Sequence, residues 1–155
     1  MRTAEIDLRT FASEHLDEAV AWTEAPPIAA LAALDRSACG MDRTALIARL
    51  AAEGRIALQH RDGVLRGFAA LRPFGRGEVI GPVVAENPVE ARALLSFVMA
   101  TRPGAFLRVD TPEETGLGPW LAPVGRGVAM QRGGEPPRRQ VAGPRTFALA
   151  AQALG

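Results

Sequence analysis

Three strand-like runs in series between Arg55 and Val84 constrain the fold of this chain more than any other feature. Ile56 and Leu58 stand two apart in a run that leads to Asp62-Gly63, a dipeptide suited to a tight hairpin turn. A run from Val64 to Leu71 follows, holding Phe68, and a second turn from Pro73 to Gly77 leads into Glu78-Val79-Ile80-Gly81-Pro82-Val83-Val84. That last run is too apolar to be an exposed edge along its length, so it belongs inside a sheet. The pattern predicts an antiparallel meander. Immediately after it the period changes to that of a helix: Asn87 is a good cap, Pro88 suits the first turn, and Glu90 stands at the capping-box position. Leu94, Leu95, Val98 and Met99 supply the buried face of that helix.

The flanks are read in the same way. Ile6 and Leu8, two apart with polar neighbours, predict a strand over residues 4–11. Ser13 predicts the cap of a helix carrying Leu16, Ala19 and Val20, which must stop before Pro26 and Pro27. Pro27 then suits the first turn of a helix whose Ile28, Leu31 and Leu34 share one face and whose natural end is Gly40. Asp42 caps the next, with Met41 placed to staple onto Leu46, Leu50 on the buried face and Gly54 at the end. Beyond the helix at Pro88, Phe106 to Val109 reads as a strand. Thr111-Pro112-Glu113-Glu114 reads as a capping box for a short helix toward Trp120-Leu121, and Val128 to Gln131 as a core strand. Gly133 to Gly143 is a loop, and Phe147-Ala148-Leu149 a short terminal strand or docking segment.

Composition narrows the function. A length of 155 residues with 48% hydrophobic content suits one packed domain. The net charge is +1, and the basic residues, all Arg in an Ala-rich chain, are scattered without a block. That pattern gives no footprint for nucleic acid. No apolar stretch approaches a membrane span, and Glu5, Asp7 and Arg9 stand where a secretory leader would be apolar. Cys39 is the only cysteine, which excludes an internal disulfide and points to a reducing, cytoplasmic setting. His15 and His60 are isolated, and no spacing suggests a metal or a catalytic triad.

Specific residues go further. Leu34-Asp35-Arg36, Gly40-Met41-Asp42-Arg43, Ile80-Gly81-Pro82-Val83-Val84-Ala85-Glu86 and the tail Gly133-Gly134-Glu135-Pro136-Pro137 with Phe147-Ala148-Leu149-Ala150 occur in an order that resembles the C-terminal domain of bacterial tandem-GNAT acetyltransferases. The resemblance covers roughly residues 27–155, and residues 12–24 are similar to the start of a first GNAT domain. It implies an α/β fold in the order β-α-α-β-β-β-α-β-α-β, with a mixed, mostly antiparallel sheet flanked by helices and a C-terminal extended segment. A single GNAT-like domain over 1–155 is then expected, with an N-terminal strand and helix over 1–24 and a tail over 133–155.

The resemblance further implies transfer of an acetyl group from acetyl-CoA to an amine, on a small molecule or a protein. GNAT proteins hold the coenzyme pyrophosphate with a loop of the form Gln/Arg-x-x-Gly-x-Gly/Ala ahead of a helix. Here the matching stretch is Glu86-Asn87-Pro88-Val89-Glu90-Ala91, and only Ala91 fits. Glu86 replaces a cation or amide, Pro88 lacks an N–H, and Val89 stands in place of a glycine. The same residues read equally as a capped helix start. Gly81 and Pro82, ahead of Val83 and Val84, match the place where GNAT strands splay to admit the pantetheine, and a bulge without a ligand accounts for them as well. The chain has no tyrosine, so the family's usual acid is missing, and Leu121 takes its place. Glu78 is the first candidate base and Asp110 the second, against plainer roles as a turn carboxylate and a helix-start residue. Cys39, Trp22 and Trp120 read as core before pocket. The rival reading is a degenerate GNAT-fold domain that binds a ligand or a protein without catalysis, and it predicts a filled cleft beside Val83 and Val84. A homodimer is compatible with either.

Overall fold

The computed structural model describes residues 18–121 and 143–151. Along them run β1 (Glu18–Thr23), α1 (Ile28–Cys39), α2 (Thr44–Glu53), β2 (Arg55–Arg61), β3 (Val64–Phe74), β4 (Gly77–Ala85), α3 (Pro88–Ala100), β5 (Leu107–Arg108) and β6 (Arg145–Ala148). The expected strand over 4–11 and the core strand at Val128 to Gln131 lie outside the described residues.

Hairpin chemistry sets the meander. Asp62 and Gly63 both take positive φ, 53° and 74°, which turns β2 into β3 with the twist that antiparallel strands need. The second turn is tighter than the sequence suggests: Pro73 and Phe74 still belong to β3, paired with Glu78 and Gly77, and only Gly75 and Arg76 form the loop. Six strands make one sheet in which β1, β2, β3 and β4 are successive antiparallel neighbours. β5 joins β4 in parallel, and β6 pairs with β4 antiparallel.

The helix expected from Ser13 through Val20 is overturned over its described part, which is β1. Alternation decides it. Val20 and Trp22 turn inward and pack on the core while Ala19 and Ala21 stay exposed, a period of two that a helix cannot satisfy. Arg55 lies over the Trp22 ring at 4.1 Å, and Phe97 meets the same ring at 5.4 Å. The strand-helix-helix-meander order therefore holds, with its first described strand at β1.

Two apolar layers sandwich the sheet. On one face Leu94, Leu95 and Val98 of α3 pack on Ala57, Ala69, Leu71 and Ile80. On the other, Leu31 of α1 with Ile47 and Leu50 of α2 packs on Ile56, Phe68, Ala70 and Val84. This is a mixed, mostly antiparallel α/β fold flanked by helices. α1 ends as expected at Gly40, φ 77°, whose N–H reaches Arg36 O at 2.8 Å. α2 begins at Thr44, with Asp42 Oδ1 accepting from the Thr44 N–H at 3.1 Å and its hydroxyl at 2.6 Å. Those bonds hold the Asp42 carboxyl below its ordinary pKa.

After β5 the expected short helix is replaced by two single 3-10 turns, Glu113–Thr115 and Gly118–Trp120. Thr111 does not cap a helix because its hydroxyl is engaged elsewhere, with Phe147 O at 2.7 Å and Thr115 Oγ1 at 2.7 Å. Leu117 between the turns is fully buried, and Trp120 packs against the same core.

Candidate functional site

β4 is where the strands part. β3 pairs along it on one side with a register shift, so that Gly81 and Pro82 bulge opposite Ala70. On its other side β5 pairs only at Glu78 and Val79. Past the bulge, β6 takes the same edge, with Val83 opposite Ala148, Val84 opposite Thr146 and Ala85 opposite Arg145. The chain after β6 crosses Gly81 so closely that a Cβ there would lie 2.0 Å from Leu149 O. The Leu149 N–H in turn donates to Asp110 O at 2.8 Å. Gly81, Pro82, Val83 and Val84 are all buried. Thus the strand edge that the resemblance assigns to the pantetheine carries this chain's own β6.

The start of α3 is occupied as well. Asn87 Oδ1 accepts from the Glu90 N–H at 2.9 Å, Glu90 Oε2 receives the Glu86 N–H at 3.4 Å, and Pro88 has no N–H to offer. Glu90 is buried, and Arg61 pairs with it at 2.8 Å and also with Glu86, which Arg66 reaches at 3.4 Å. Positive helix-end potential and two guanidiniums are thereby spent on two internal carboxylates. A pyrophosphate brought here would meet the Glu86 carboxylate, with that of Glu90 buried behind it, so these residues do not fit that group. Val89 is exposed and Ala91 buried against the core. The side-chain carbonyl of Gln59, fully buried beneath this corner, has no hydrogen-bond partner among the described residues, although its amide donates to Glu90 O at 3.3 Å.

Glu78 and Asp110 are not brought together. Glu78 shares the α3 face with Ile80 and pairs with Arg102, just past α3, at 2.9 Å. Asp110 lies in a cavity of about 340 Å³ lined by Arg72, Phe74, Val79, Arg108 and Ala150. Register explains the grouping: Arg72, Val79 and Arg108 stand side by side on β3, β4 and β5, so their side chains share one face. Arg108 Nε donates to both Asp110 oxygens, at 3.0 and 3.1 Å. Arg72 Nη2 donates to Ala150 O at 2.9 Å. The sequence reading missed Arg72, Phe74 and Arg108, because only the pairing register reveals them as one row.

Asp35 and Arg43, which carry part of the resemblance, form a different unit. Asp35 is fully buried on α1, and Arg43 grips it through Nε at 2.9 Å and Nη2 at 2.7 Å. The Asp35 carboxylate raises the Arg43 pKa, against the opposing effect of burial. This pair ties α1 to the start of α2. Cys39 stands beside it, its thiol 3.8 Å from Asp35 Oδ2 and 3.6 Å from Met41 O.

The chain matches the family described as the acetyltransferase (GNAT) domain over residues 31–141, well over half of its 155 residues. No curated protein and no solved structure matches it. Among the described residues no helix is long and apolar enough to cross a membrane. The matched region takes in α1, α2, the whole meander, α3 and β5, in the order and pairing described above. With a family match of that extent laid over that fold, the chain belongs to the GNAT acetyltransferase family.

Proposed function

We propose that the chain is an N-acetyltransferase that moves an acetyl group from acetyl-CoA to an amine, on a small molecule or a protein. The match to the GNAT domain over residues 31–141 carries this reading. The end of the β4–β5 pairing at Val79 supports it, because the cavity holding Asp110 opens there. Asp110 is the carboxylate best placed to hold an acceptor ammonium and to take its proton. Glu78, committed to Arg102 on the opposite face, is not placed for that role. No tyrosine is present, so the departing thiolate takes its proton from water or from the nitrogen of the attacking amine. Positioning then supplies most of the rate. On this reading the donor binds along Val83 and Val84 only after β6 leaves them. The cytoplasm is the natural setting, and the likeness to the second half of tandem GNAT enzymes belongs to the same proposal.

One observation favours a second reading. With β6 paired to Val83–Ala85, the edge expected to take the donor is filled, and the domain is also suited to bind an acceptor-like ligand without transferring anything to it. Incubating the full chain with acetyl-CoA and a panel of amines, and following free thiol and acetylated product by mass spectrometry, separates the two. Enzyme-dependent acetylated product is expected. Thiol release no faster than in buffer, across the panel, would leave the binding reading in its place.

A further inference from the structure

The cavity between the ends of β3, β4 and β5 has a composition that names its ligand. Phe74, 44% exposed, lies between two guanidiniums, with Arg72 Cζ 5.5 Å and Arg108 Cζ 5.1 Å from its ring centre. Both cations are held in place without being used up. Arg72 gives one Nη2 bond to a backbone carbonyl, and its buried Nε has no partner among the described residues. Arg108 bonds to Asp110 through Nε, and its two outer nitrogens have no hydrogen-bond partner among the described residues. Two guanidiniums against one carboxylate leave the cavity a net positive charge, with donors arranged to take a planar anion in a fork. Asp110 is 14% exposed at its side chain, and each oxygen keeps a lone pair beyond its bond to Arg108. Val79, Phe74 and Ala150 line the rest with apolar surface.

We infer that this cavity binds a small amino carboxylate, its carboxylate on Arg72 and Arg108, its ammonium on Asp110 and its side chain against Phe74 and Val79. The inference rests on reading the Asp110 cavity as the acceptor side, and it names the acceptor class as a free amino acid rather than a polyamine or a neutral amine. A volume of about 340 Å³ admits such a molecule. A polyamine would bring a second cation to face Arg72 and Arg108 with no counter-charge.

Calorimetry on the full chain without acetyl-CoA tests this, using glycine, L-leucine, L-glutamate and L-phenylalanine, each beside its α-amide. At least one acid is expected to bind, with its amide weaker by about tenfold or more, since a charged hydrogen-bonding partner is lost. Arg72→Gln should erase most of that difference between acid and amide, with the circular dichroism spectrum unchanged as the folding control. In the unaltered chain, no heat from any of the four, or equal affinity for acid and amide, overturns the inference whatever the variant does. In a separate titration with acetyl-CoA alone, its binding where no amino acid binds would overturn the acceptor class and spare the acetyltransferase reading. Amino acid binding with no acetyl-CoA binding would do the reverse.

Discussion

Individual charged residues divide into those that close the fold and those that face the cavity. Asp35 with Arg43 is a buried pair, and Glu90 with Arg61 a pair with one buried member; removing the cation from either strands a buried carboxylate. Breaking such a pair costs about 3–5 kcal/mol, whereas replacing both members with apolar residues of like size is far milder. Arg43→Ala should therefore lower unfolding free energy by about 3 kcal/mol or more in urea, and Asp35→Leu with Arg43→Met by much less. A single-variant loss below about 1 kcal/mol would contradict that role. Sequence reasoning placed Asp35 and Arg43 within a family pattern without finding their bond, because a contact eight residues apart across a helix-turn-helix corner leaves no periodic trace. It likewise named Asp110 and missed Arg72 and Arg108, whose grouping depends on cross-strand register.

At the level of elements, local chemistry was legible wherever a side chain talks to its own backbone. The Asp62-Gly63 turn, the Gly40 stop and the Asn87 cap with Glu90 behind it all formed as the residues dictate. Asn87→Ala should cost about 1 kcal/mol, measured by thermal unfolding, and no loss would mean that Glu90 alone holds the helix start. Elements decided by distant partners were not legible. β1 is a strand because Val20 and Trp22 need the sheet, and the turns after Thr111 stay short because its hydroxyl answers to Phe147. β6 carries one polar misfit: the buried Thr146 Oγ1 has no hydrogen-bond partner among the described residues. Thr146→Val keeps the shape and removes that hydroxyl, so it should leave stability unchanged or raise it by up to about 1 kcal/mol in urea. A loss of similar size would show that the hydroxyl is satisfied in solution.

The whole molecule keeps the GNAT scaffold and alters its donor side. α1, α2, the meander and α3 build the two-layer sandwich, and the strand edge past the bulge is closed by β6 rather than left open. The departures at Glu86, Pro88 and Val89 were visible in the sequence, and the structure gives two acidic positions there a use: Glu90 accepts the Glu86 N–H and pairs with Arg61, and Glu86 pairs with Arg61 and Arg66. What no residue pattern showed was that the tail pairs with Val83–Ala85, since one short apolar segment does not reveal which edge it will take. On the proposed function, acetyl-CoA would have to displace β6 from one edge of β4. The most direct measurement is amide hydrogen exchange of residues 145–148 with and without saturating acetyl-CoA. The account predicts that the coenzyme speeds exchange in β6 while Leu58 and Phe68 in the meander stay protected. Unchanged protection of β6 at saturating acetyl-CoA would contradict it.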